Sequence, residues 1–355
     1  MSSHDTLVVA AMEAYPSPPY PLHESVIDKL HPQYVAFYNQ HLLNAQQVHY
    51  QPVCASRVGG RIIPGGSEDL PVGHAEDISI PRLETQGPDV QIRCFTPEGK
   101  PPASGWPVMV YYHGGGWVLG TIATENSVCT NMCVRAKCVV ITTGYRLAPE
   151  HPYPAAVHDS WEALLWTVTE GVQKLNLDLS KLAIGGSSAG GNLAAVMTQK
   201  ALLLRQQRPS YLSEDIKFLK QLLIVPVTDN TANIENNPTY KSSEHVPALP
   251  ALKMLWYRNH YLPDRATWND SEASPLLFPA EKFSDLPPAV ILVGQLDVLR
   301  HEGEEYGRKL RDAGVDAKVE VMTGMPHPFL AMDAVLDEGK RAITILCDTL
   351  VETFA

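Results

Sequence analysis

The chain is short of positive charge. Its 28 lysines and arginines face 39 acidic residues, for a formal net charge of −11. That balance repels phosphate backbones and argues against nucleic-acid binding. The basic residues are scattered, so no block is available to hold anionic lipid. Long apolar runs are also missing: none approaches the ~18 residues of a transmembrane helix. The early run Leu7–Met12 has no basic region before it, unlike a secretory signal. Position 2 is Ser and the last residues are Glu352-Thr353-Phe354-Ala355, which fit neither myristoylation nor prenylation. No stable membrane anchor is expected. Cysteine is scarce too, with six in 355 residues, too few for a disulfide scaffold. Cys129 and Cys133 stand one helical turn apart near Cys138, but no nearby histidine or fourth cysteine completes a zinc set. Core packing is the expected role of these thiols, no metal is expected, and a reduced, cytoplasmic location is the default.

What is present is a globular composition, 45% hydrophobic and 19% charged. The length exceeds that of a usual single-core domain, which favours one large unit with an accessory piece. After Pro16, Pro18, Pro19 and Pro21, apolar residues recur at helical spacing from Glu24 to Leu43, which predicts a helix. Residues 51–75 are turn-rich and read as a linker. Strands are predicted at Asp77–Arg82 and Val90–Pro97, paired across a Gly-Pro-Asp turn, then at Pro107–Tyr112 and Cys138–Gly144. Further strands are predicted at Leu182–Gly185, Phe218–Val227, Ala289–Gln295 and Ala317–Met322. Helices alternate with them: Glu125–Ala136, Ala155–Thr169, Ala189–Leu204, Glu302–Ala313 and Ala334–Thr353. Residues 230–270 break the alternation, with four prolines and a helix-like core at Ala251–Tyr257, and read as an insertion. Such alternation implies an α/β fold with about eight strands, mostly parallel, and helices on both faces.

One stretch organises the rest. Gly185-Gly186-Ser187-Ser188-Ala189-Gly190-Gly191 joins a strand-like run to a helix-like one. Only Gly186, Ser188 and Gly190 fit G-x-S-x-G, the pattern of a serine held at a sharp strand-to-helix turn. Reading Ser187 as the nucleophile would need glycine at 189, where Ala189 stands. A serine hydroxyl needs a base, and the base needs an orienting acid. Of 13 histidines, His327 stands out: it follows the last strand, between Pro326 and Pro328. Asp297 follows the strand before it, and the order Ser188, Asp297, His327 is that of the α/β-hydrolase fold. Glu302 is the second-choice acid, a turn into the next helix, and Asp333 the third. In His113-Gly114-Gly115-Gly116-Trp117 the glycines free backbone N–H groups to bind an oxyanion. The run lacks the spacing of a phosphate loop, and His113 is expected to brace it.

These motifs give the chain a specific look between about residues 100 and 345. HGGGW (113–117), GYRLAPEHPYPAA (144–156), the elbow, PVTD (226–229), YLPD (261–264), SPL (274–276), DVLRHEG (297–303) and GMPHPFL (324–330) resemble the hormone-sensitive-lipase-like esterases of the α/β-hydrolase superfamily. The resemblance implies an α/β-hydrolase fold with a helical cap. The core would be residues 76–229 and 271–355, and the cap residues 1–60 and 230–270, in one unit spanning 1–355. It implies catalysis by Ser188, Asp297 and His327, with oxyanion donors from Gly115, Gly116 and Ala189, and no cofactor. The substrate class is a carboxylic ester with a short to medium acyl or aryl group. An amidase or deacetylase would use the same triad. A small-molecule receptor on this fold would lack the histidine that His327 supplies. Trp117, Met254, Trp256, Tyr257 and Phe329 are candidates for an apolar pocket, and the last strand and helix for a homodimer interface. The family usually has Asp at the positions of Ser187 and Gly144. It also differs at Val298 and His301, and has Gly at the position of Pro328. The change at 187 removes an acid beside the nucleophile, and Pro328 removes a backbone donor beside the base.

Overall fold

The computed structural model describes residues 15–58, 64–207 and 217–355. Two parts of the expected cap, 1–14 and 59–60, lie outside these residues, as does the Leu7–Met12 run. Eight strands form one sheet: β1 His74–Ile80, β2 Val90–Thr96, β3 Trp106–Tyr112, β4 Val139–Gly144, β5 Leu177–Ser187, β6 Phe218–Ile224, β7 Ala289–Leu296 and β8 Ala317–Pro326. Their spatial order is β1-β2-β4-β3-β5-β6-β7-β8. β2 runs antiparallel to β1 and β4, and every other pairing is parallel.

The parallel strands are covered on both faces, which is why they read as unbroken apolar runs. Every residue of β3 is buried. The helix Asn126–Ala136 packs on Asp337–Phe354, and Ala155–Val168 packs on Ala189–Gln207. Cys129, Cys133 and Cys138 are free thiols buried in this packing.

Parallel order aligns the carboxyl ends of β3, β5, β7 and β8 along one edge. The next residue after each strand is, in turn, His113, Ser188, Asp297 and His327. Four distant sequence positions therefore arrive at one edge through topology alone, where open α/β sheets build their sites.

Two expectations need correction. The single helix from Glu24 to Leu43 is three pieces: α-helices Glu24–Ile27 and Pro32–Phe37, and a π-helical turn Tyr38–Leu42. Pro32 is the cause. It lacks an N–H and pushes the residue before it out of the helical region. His31 is accordingly extended (φ −62°, ψ 135°) and caps the second helix, accepting from Gln33 N at Nδ1. The apolar spacing survives the break, since Val26, Leu30, Tyr34, Phe37 and Tyr38 are all buried. The β1–β2 connection is likewise no tight turn: Ile80 pairs with Val90, leaving residues 81–89 as a loop. The Glu162 carboxylate gathers that loop, accepting from the N–H groups of Leu83, Glu84 and Thr85.

Candidate active site

The elbow is held open by close backbone packing. Ser188 has φ +54°, in the left-handed region that strains any side-chain-bearing residue. Its N–H donates to Ile224 O at 2.8 Å, which ties the turn to β6. A methyl group on Gly190 would stand 1.9 Å from Tyr112 O, so β3 and the elbow approach this closely only with glycine there. Ser188 is 7% exposed and lines a cavity of about 720 Å³.

His327 lines the same cavity. Its Nδ1 shares a hydrogen bond of 2.8 Å with Asp297 Oδ2. Asp297 is fully buried, and its Oδ1 accepts from Leu299 N at 2.9 Å, so the carboxylate is fixed at both oxygens. The other acids lie elsewhere. Glu302 Oε1 accepts from Thr228 N and Asp229 N, and burial raises its carboxyl well above the usual range. Asp333 binds the backbone and hydroxyl of Ser67.

The glycine loop curls over the cavity. Gly115 and Gly116 have φ of +121° and +61°. A methyl group on Gly116 would stand 2.3 Å from the Tyr257 ring, so this loop and the helix Ala251–Tyr261 fit only without a side chain. His113 turns away from the cavity. It stacks on Tyr145 at 4.3 Å, its Nδ1 meets Gly114 O at 2.7 Å, and burial lowers its pKa to about 4. A neutral, enclosed imidazole suits a brace.

Of the five aromatic and Met residues expected to line a pocket, Met254 and Tyr257 line the cavity. Trp117, Trp256 and Phe329 do not. Trp117 sits at φ +59° and stacks on Tyr261 at 4.2 Å. Trp256 packs edge-on to Tyr257 and His260. Phe329 is wholly buried in the core.

A family model for the alpha/beta hydrolase fold matches residues 109–331. An AB hydrolase superfamily protein of Schizosaccharomyces pombe is 46% identical over 339 residues, covering 94% of this chain and 97% of its own. The carboxylic ester hydrolase LipN of Mycobacterium tuberculosis is 34% identical, with 81% of this chain and 70% of its own aligned. A solved thermostable esterase from Pseudomonas putida superposes with a TM-score of 0.80 at 26% identity, covering 92% of this chain and 98% of its own. The chain belongs to the hormone-sensitive-lipase-like carboxylesterases of the α/β-hydrolase superfamily.

Against that family pattern, the acid missing at position 187 has a substitute. Ser187 Oγ donates to Glu125 Oε1 at 2.5 Å, and Gly114 N approaches the same oxygen at 3.4 Å. Glu125 thus joins the elbow to the glycine loop of this carboxylesterase from 62 residues away. Sequence reading missed it, because Glu125 looked like the start of a helix and nothing local marks its partner. Its Oε2 is closed to solvent and accepts no hydrogen bond. Burial raises the carboxyl's pKa, and the bonds from Ser187 and Gly114 offset part of that rise.

A prediction arises here. Ser187→Asp, which restores the residue usual in the family, destabilises this protein by about 1–3 kcal/mol at neutral pH. Two carboxyl groups would then share one buried site, and one must hold a proton. A carboxyl whose folded pKa is raised binds its proton more tightly in the native state. The variant's stability therefore recovers as pH falls and worsens as pH rises. Urea melts of both proteins at about pH 5 and about pH 7.5 check this; equal midpoints at both pH values would refute it.

Proposed function

We propose that this carboxylesterase works through an acyl-enzyme on Ser188, with His327 as general base and Asp297 as the residue that orients it. Ser188 Oγ attacks the ester carbonyl while His327 Nε2 takes its proton. The alcohol leaves with that proton. Water then attacks the acyl-enzyme, giving its proton to His327, and the carboxylic acid departs as Ser188 regains its hydrogen. The backbone N–H groups of Gly115, Gly116 and Ala189 stabilise the oxyanion, aided by the amino end of the helix Ala189–Gln207. The first N–H groups of a helix have no intrahelical acceptor, which leaves Ala189 available.

The observation that carries this reading is the His327–Asp297 hydrogen bond on the cavity edge that also holds the left-handed Ser188. The N-terminal segment and residues 230–270 act as the cap. Their support is that Tyr34, Tyr38 and Leu42 from one, and Leu249, Met254 and Tyr257 from the other, line the cavity with Ser188. About 720 Å³ of largely apolar space suits short to medium acyl or aryl esters.

The test is covalent labelling with a fluorophosphonate, alongside p-nitrophenyl esters of graded acyl length. The expected adduct sits on the peptide carrying Ser188, persists in Ser187→Ala, and tracks loss of activity. Full inactivation with the label on another residue would overturn the assignment.

A further inference from the structure

The cavity holds a cation that the reaction above does not use. Lys253 lines it from the helix Ala251–Tyr261. Its Nζ donates to Ala248 O at 2.6 Å, and among the described residues no carboxylate pairs with it. An ammonium has three donors, so this bond leaves two. Burial lowers its pKa to about 8, with no opposing charge to offset that cost.

The other acidic and basic side chains lining the cavity are engaged. Arg57 is bidentate on Glu150 and also donates to Val118 O and Ala148 O. Asp69 accepts from Asn126 Nδ2, and Glu125 is bound by Ser187. Near Lys253 lies an unpartnered polar group. His49 is 6% exposed and neither ring nitrogen has a hydrogen-bond partner. Burial first, and the Lys253 charge second, lower its pKa to about 3, so it is neutral and adds no repulsion toward an anion.

The position relative to the reacting centre follows from helix geometry. Lys253 and Tyr257 are four residues apart and share a helix face. Tyr257 lies against Gly116 of the glycine loop. The Lys253 Cα is therefore about 6 Å further along the helix than that of Tyr257, and its Nζ reaches back to Ala248 O, before the start of the helix.

We propose that Lys253 binds a carboxylate carried by the substrate, making this enzyme selective for esters with an anionic group on the acyl or alcohol chain. Half-esters of dicarboxylic acids are the simplest members of that class. The proposal rests on the Ser188 reading of the same cavity. A carboxylate would supply the acceptors that the free Nζ donors lack, and a charge-assisted hydrogen bond in a partly desolvated site is among the stronger ones.

The test compares two pairs of substrates followed by proton release. One pair is monoethyl adipate against ethyl hexanoate, with the charge on the acyl side. The other is the butyryl ester of 4-hydroxybutyrate against pentyl butyrate, with the charge on the alcohol side. The readout is the ratio of kcat/KM, charged over neutral, in wild type, Lys253→Met and Lys253→Arg. Lys253→Met should lower that ratio about 10- to 100-fold for at least one pair, and Lys253→Arg should restore part of it. In wild type, adipate should inhibit ethyl hexanoate hydrolysis competitively and more tightly than hexanoate does. An unchanged ratio for both pairs, or equal inhibition by adipate and hexanoate, overturns the proposal and leaves Lys253 as a brace for the turn at Ala248. Neutral-ester turnover that survives Ser188→Ala would instead overturn the Ser188 reading, so the two failures are distinct.

Discussion

Ser188→Ala is expected to lower kcat on a p-nitrophenyl ester by on the order of 10⁶-fold, with the fold and the cavity kept. The size follows from the proposed mechanism, in which Ser188 Oγ forms the covalent bond; what would remain is catalysis by the proposed oxyanion donors and by substrate binding. The fold should survive for a specific reason. Ser188 has φ +54°, and the strain of that conformation falls equally on alanine and serine. Its backbone ties, from N to Ile224 O and from Asn192 N to its own O, involve no side-chain atom. Alanine also adds no volume in a place where Gly186 and Gly190 already allow none. Ser187→Ala is the control. It leaves the Glu125 oxygen with only the long bond from Gly114 N and is expected to cost stability, about 1–3 kcal/mol, far more than it costs turnover. Steady-state kinetics and urea melts on both variants separate the two serines. A Ser188→Ala enzyme within about tenfold of wild type would place the nucleophile elsewhere.

The contrast between those neighbouring serines marks where sequence stops being informative. The residues that follow strands β3, β5, β7 and β8 are legible from chain order, because a parallel sheet turns a sequence of strand ends into a row of neighbours. Ser188 could be told from Ser187 by glycine spacing, which reflects the approach of Gly190 to Tyr112 O. The length of β8 was less legible. The strand is predicted to stop at Met322, yet it runs on to Pro326 through an irregularity that pairs Leu296 with Pro326. Partners far apart in sequence were not legible at all. Nothing near Glu125 points to Ser187, and nothing near Arg57 points to Glu150. Of the five candidates for the cavity's lining, Met254 and Tyr257 reach it. Aromatic size alone favours Trp117 as much as Tyr257, and only the left-handed turn at Trp117 sends its ring onto Tyr261. The N-terminal helix failed differently: its apolar period was read and its proline was not, although the proline decides where the chain bends.

Asp297→Asn is the second large effect, with kcat expected to fall about 10⁴-fold. The argument is one of proton placement. Asp297 offers acceptors at both oxygens, one to Leu299 N at 2.9 Å and one to His327 Nδ1 at 2.8 Å. In the asparagine variant the Leu299 N–H keeps the amide oxygen on its side, because an N–H facing an NH₂ would leave both unsatisfied. The NH₂ then faces Nδ1, which must accept. The imidazole proton moves to Nε2, the atom required to take the proton from Ser188, so the base is present in the wrong tautomer. It also loses the charge that stabilises the imidazolium as it forms. The rival acids predict the opposite ranking and make the test discriminating. Glu302→Gln disturbs the Thr228–Asp229 loop that Glu302 Oε1 holds, and Asp333→Asn disturbs the seat of Ser67. Both should lower the urea midpoint and leave kcat within about tenfold of wild type. Asp297→Asn should do the reverse, with a near-native melt and a collapsed kcat. If Glu302→Gln or Asp333→Asn lost kcat by about 10⁴ while Asp297→Asn retained it, the orienting acid would be misassigned, since tautomer control belongs to whichever carboxylate holds Nδ1.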